Sequence, residues 1–80
     1  MEFNIKRNLY SGDMYCNFKY NNEKFYANFA AHPMRGPACT IYTCNEDGSV
    51  NFSDKCYEKR AKLFSEKSFI ELLKDFTKEA

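Results

Sequence analysis

Residues 13–31 read DMYCNFKYNNEKFYANFAA, and the fold is decided here. Met14, Cys16, Phe18 and Tyr20 alternate with Tyr15, Asn17 and Lys19. That is the period of two which sends successive side chains to opposite faces of a strand. Beyond Asn21-Asn22 the alternation resumes, with Phe25, Ala27, Phe29 and Ala31 on the inward face and Tyr26, Asn28 and Ala30 on the outward one. Asn tolerates positive φ at low cost, so two of them between alternating runs predict a type I′ hairpin.

The pattern extends in both directions. Residues 1–10 alternate as well and predict a first strand, with Phe3, Ile5 and Leu9 on one face, Asn4, Lys6, Asn8 and Tyr10 on the other, and a turn at Ser11-Gly12-Asp13. After residue 31 the pattern breaks. His32-Pro33-Met34-Arg35-Gly36-Pro37 holds both prolines of the chain, and Pro cannot donate to a ladder, so this segment predicts a crossing or a corner. Residues 38–44 are β-branched and aromatic and predict a strand. Asn45-Glu46-Asp47-Gly48 predicts a hairpin turn, with Gly in the left-handed position. A short return strand over 49–53 carries Val50 and Phe52.

The segment 54–64 supports two readings. Tyr57, Ala61 and Phe64 recur at helical spacing after a capping Ser53 or Asp54; a longer fifth strand followed by a loop fits equally. From Ser65 the helical period is clear, because Phe69, Leu72, Leu73 and Phe76 form one apolar stripe. Ser65 predicts the N-cap of a helix over 66–78, with Phe64 and Phe69 placed as a hydrophobic staple; Ser68 and Glu71 offer a competing capping box. The expected architecture is one α+β domain over residues 1–80. It is an antiparallel meander of four to five strands followed by a C-terminal helix packed on one face.

Composition narrows the function classes. The 80 residues carry 12 Lys+Arg against 11 Asp+Glu, a net charge of +1, which excludes a strongly basic nucleic-acid binder and an acidic tail. Aliphatics are scarce, so 8 Phe, several of the 6 Tyr and the Cys must build the core, and this aromatic content argues against disorder. No apolar run approaches the roughly 18–20 residues that span a bilayer. The alternating start of the chain does not resemble a secretory leader. A cytoplasmic protein without a membrane partner is therefore expected.

Cys16, Cys39, Cys44 and Cys56 are expected to be reduced thiols in that compartment, with disulfides or a metal site as alternatives. The one short spacing, Cys39-x4-Cys44, lies along a strand and sends its thiols to opposite faces, which suits a zinc site poorly. His32 is the only His and could pair with Cys39 or Cys16 as a nucleophilic dyad, or be a solvated loop residue. No phosphate-cradling glycine loop is present, and no pair of carboxylates is placed for general acid–base work. The expectation is a protein with no catalytic residues and no cofactor.

Two surfaces stand out. The outward face carries Lys6, Asn8, Tyr10, Tyr15, Asn17, Lys19, Tyr26 and Asn28. Rings interleaved with Lys and Asn suit single-stranded nucleic acid, through stacking and phosphate contact. They equally suit a protein partner, since Tyr orders at low entropic cost, or a plain solvated face. The second surface is the loop carrying Met34 and Arg35, because loops on a rigid scaffold often carry function. Local basicity over 55–67 adds a strip of Lys that a helix would align. The candidate partner-binding residues are Tyr10, Tyr15, Lys19, Tyr26, Met34 and Arg35. Either a monomer or a homodimer paired through an edge strand is compatible with an open sheet.

Asn, Lys, Phe and Tyr, all of which have AT-rich codons, are abundant. In size, composition and layout the chain resembles the small uncharacterised accessory proteins of conjugative transposons and phages in low-GC Gram-positive bacteria. That resemblance rests on no motif and transfers no site residues. It implies a non-enzymatic protein that acts by binding another macromolecule, as an accessory or inhibitor module.

Overall fold

A computed structural model describes residues 1–78; residues 79 and 80, the end of the expected domain, lie outside the described residues. Five antiparallel strands lie side by side in chain order: β1 (Lys6–Arg7), β2 (Met14–Tyr20), β3 (Glu23–His32), β4 (Gly36–Cys44) and β5 (Val50–Arg60). A single helix, α1 (Glu66–Thr77), follows and covers one face of the sheet. The expected α+β meander with its C-terminal helix is the fold found.

The central hairpin forms as its alternation dictates. Met14 pairs with Phe29, Cys16 with Ala27 and Phe18 with Phe25. The turn residues Asn21 and Asn22 hold φ of 52° and 62°, the doubly left-handed backbone of a type I′ turn. The inward residues Met14, Cys16, Phe25, Ala27, Phe29, Cys39 and Ile41 are all buried, and Phe69 and Leu73 of α1 close the core over them. Ala31, expected inward, is exposed, because the buried inward core ends at the Phe29–Cys39 pair and Ala31 lies beyond it, opposite Pro37 near the hairpin tip.

The helix begins where its cap chemistry says it should. Ser65 has extended backbone and its hydroxyl accepts the Ser68 N–H at 3.1 Å, so the competing box at Ser68 is not used. The expected staple acts through the sheet: Phe64 and Phe69 each pack on Phe29, with ring centroids 5.2 Å away in both cases. At the other end Lys78 adopts the left-handed conformation and its N–H bonds back to the Asp75 carbonyl. Phe76 meets Phe25 edge-on at 5.1 Å and Tyr57 at 5.4 Å, extending the seam to the sheet's far side.

Two expectations are corrected here, and one open reading is decided. The first strand spans two residues rather than ten. The Asn8 side-chain oxygen accepts the N–H of Tyr10 at 2.9 Å and of Ser11 at 3.2 Å, and this local turn takes the chain out of the sheet early. Upstream, Phe3 and Ile5 still pack on the core, Phe3 edge-on to Phe18 at 5.4 Å. The segment with both prolines is no corner but a tight hairpin: His32 pairs with Gly36 around Pro33-Met34-Arg35. Gly36 supplies φ of +79°, and Pro37 sits near the start of β4, where a missing N–H is tolerated. Of the two readings of residues 54–64, the longer fifth strand followed by a loop is the one found.

β5 owes its helix-like pattern to irregular pairing. Ile41 pairs with Tyr57 but Tyr42 with Lys55, leaving Cys56 as a bulged residue whose thiol donates to the Ile41 carbonyl at 3.3 Å. Between the Lys55–Tyr42 and Val50–Cys44 pairs, residues 51–54 of β5 face Thr43 alone. The Thr43 hydroxyl donates to Asp54 at 2.8 Å across this wide bulge. Tyr57 still reaches the helix, donating its hydroxyl to Asp75 at 2.9 Å.

Candidate functional site: the open face of the sheet

With α1 on one face, the opposite face is left without a covering element. It is positioned by register. Tyr26 lies directly across from Asn17 on one side and Tyr42 on the other, and Tyr42 pairs with Lys55. One row away, Tyr15, Asn28, Thr40 and Glu58 are matched in the same way.

The rings on this face make a continuous cluster. Tyr15 and Tyr26 are 6.2 Å apart, Tyr26 and Phe52 6.3 Å, and Tyr42 and Phe52 5.1 Å, the last two edge-on. The three tyrosines are half-buried by one another and by the sheet; Phe52 stands proud at 68% exposure. The wide bulge explains this. Residues 51–54 have no ladder partners of their own, so the chain arches outward and carries Phe52 over Tyr42 and Tyr26. A shallow hollow beside the cluster is lined by Tyr26, Tyr42, Phe52, Asn28, Thr40 and Arg35, among others.

Around the rings lie Lys6, Lys19, Lys24 and Lys55, each placed on this face by its pairing with, or alternation from, the tyrosines. Lys55 is held by Glu58 at 2.9 Å, which raises the Lys55 ammonium and lowers the Glu58 carboxyl from their ordinary values. Both groups are exposed, so the pair fixes orientation more than it adds stability.

Of the candidate residues, Tyr15, Tyr26 and Lys19 are brought together on the face. Arg35 reaches the rim of its hollow. Met34 does not: it projects from the hairpin tip at 95% exposure. Tyr10 is corrected outright, since it lies in the β1–β2 turn, fully exposed, and not on the sheet. Tyr42 and Phe52 complete the cluster. Tyr42 was legible as the outward partner of Ile41 in the alternation of residues 38–44; Phe52 was not, because its placement depends on the bulge.

The two buried thiols are not activated. Cys16 and Cys39 are buried and unpaired with each other in a disulfide, and burial pushes both up to about 12. A thiol so protonated is a poor nucleophile. His32, at the exposed end of β3, lines the hollow on the open face, opposite the core that holds them, so the dyad is not assembled. Among the described residues no group of three or more His, Cys, Asp or Glu is placed to hold a metal ion. Among the same residues no helix is long and apolar enough to cross a membrane.

Comparison with family models, with curated proteins and with solved structures finds no match.

Proposed function

We propose that this chain is a non-enzymatic protein-interaction module that engages a protein partner through the open face of its sheet, with Phe52 as the anchor. The exposure of Phe52 on top of Tyr26 and Tyr42 carries the reading. A buried Phe side chain is worth about 1.5–3 kcal/mol over an exposed one. Here the bulge holds the ring in water, where a partner can cover it. Tyrosines that already brace one another around it lose little entropy on binding. In this reading the module serves as an accessory or inhibitor protein of a bacterial mobile element and acts in the cytoplasm. It acts as a monomer: β5 is an edge strand, but its two irregularities and its charges at Asp54, Lys55, Glu58, Lys59 and Arg60 blunt the edge against pairing.

A second reading, a single-stranded nucleic-acid platform, is favoured by the four lysines that share the face with the rings. Capture from a bacterial host lysate with and without nuclease separates the two. A nuclease-resistant protein band supports the first; retention lost with nuclease and weakened steeply by salt supports the second.

A further inference from the structure

We propose that one end of the sheet docks on an anionic lipid surface by seating its loop tips at the headgroup level, independently of the open face. A meander in chain order places the β1–β2, β3–β4 and β5–α1 connections together at one end and the β2–β3 and β4–β5 turns at the other. The two ends are built differently. The far turns are Asn21-Asn22 and Asn45-Glu46-Asp47-Gly48, polar residues suited to turns in water. At the near end the loops project Leu9 at 93% exposure, Tyr10 at 102%, Met34 at 95% and Leu63 at 66%. These are four of the six exposed large apolar side chains among the described residues, one or more from every connection at that end.

The charge is divided the same way. Within 7–13, 33–36 and 60–67, Arg7, Arg35, Arg60, Lys62 and Lys67 stand against Asp13 and Glu66 only. At the far end Lys19 and Lys24 stand against Glu23, Glu46 and Asp47, so the cations there are more than offset. The near loops are also tied to one another. The Arg7 guanidinium lies over the Phe64 ring, 5.8 Å from its centroid, and Arg60 donates to the Arg35 carbonyl. The tips are thus presented together by a stiff scaffold, with cations at their bases.

Apolar points on separate convex loops select the occupant. A folded partner would need a separate pocket for each tip, and a nucleic acid offers phosphate but no phase that takes in Leu and Met. A bilayer interface accepts all the tips at once, Tyr at the headgroup level, while its anionic lipids meet the arginines and lysines. The absence of a spanning segment, which led to the expectation of no membrane partner, does not bear on a surface contact of this kind.

The test is sedimentation of the full chain with vesicles of phosphatidylcholine alone and with about one-third phosphatidylserine. Binding is expected to the mixed vesicles only. It should fall about fivefold per removed cation in Lys62→Gln and Arg35→Gln, and at least tenfold in the double variant Leu9→Asn, Met34→Asn. Circular dichroism should show that double variant folded, since neither side chain is in the core. No binding to mixed vesicles at low salt overturns the proposal. Binding that the double variant leaves unchanged also overturns it, since the contact would then be charge alone. Phe52→Ala should bind vesicles like the parent chain.

Discussion

The rings of Phe29 and Phe69 stack face to face, 5.2 Å between centroids and 18° from parallel, both at zero exposure. This contact joins the sheet to the helix. It also settles which face stays open, because the helix can cover only the side from which Phe29 projects.

Phe69→Ala should therefore cost about 3–5 kcal/mol, by lost transfer energy and the cavity left behind. For a domain of this size that is most of its stability. Urea titration followed by circular dichroism measures it. Phe52→Ala, which empties no cavity, should cost under about 1 kcal/mol in the same assay.

The hairpin turn gives a second test. Asn22 holds a left-handed backbone at φ 62°, which a β-branched residue reaches only with strain. Asn22→Val should destabilise by about 1–2 kcal/mol, whereas Asn22→Gly should be neutral or better. Thermal melts of the two variants compare them directly.

These two tests touch what was legible in the sequence. Residues 14–30 and 65–77 declare themselves because each residue's face follows from a regular period and the turn and cap residues mark their limits. Residues 1–10 and 50–60 do not. The Asn8 side chain, by capping the backbone of Tyr10 and Ser11, ends β1 early in a stretch whose alternation continues on paper. Cys56 bulges out of β5, so Tyr57, Ala61 and Phe64 meet the core from a strand and loop at a spacing that imitates a helix. On the open face the same difference shows: the facing of Tyr15, Lys19 and Tyr26 follows from the regular strands they lie on, while Phe52 rides on a bulge that only the pairing with β4 defines.

The Tyr57–Asp75 contact predicts a pH dependence. The Tyr57 hydroxyl, and then Lys59 at 3.5 Å, hold the Asp75 carboxyl below its ordinary value of 3.8. A carboxyl depressed in the folded state adds stability above its unfolded value and loses it as pH falls through the folded one. Wild-type protein should thus lose more melting temperature than Asp75→Asn as pH drops below 3.8, and the difference should be modest because the pair is exposed. Equal acid slopes would show that the contact does not hold in solution.

Thiol reactivity probes the core. Cys16 and Cys39 are buried and pushed up to about 12, while Cys56 is exposed and Cys44 half-buried. At pH 8, Ellman's reagent should titrate two thiols readily in native protein and all four only in denaturant. Four fast thiols would mean that the seal between sheet and helix opens easily.

The most direct test of the open face as a partner site is quantitative capture from a nuclease-treated host lysate, with wild-type, Phe52→Ala and Leu63→Ala proteins as bait. The account predicts a protein retained by wild type and by Leu63→Ala, and reduced at least tenfold by Phe52→Ala, as expected of an anchoring aromatic. Retention that Phe52→Ala leaves unchanged would contradict it.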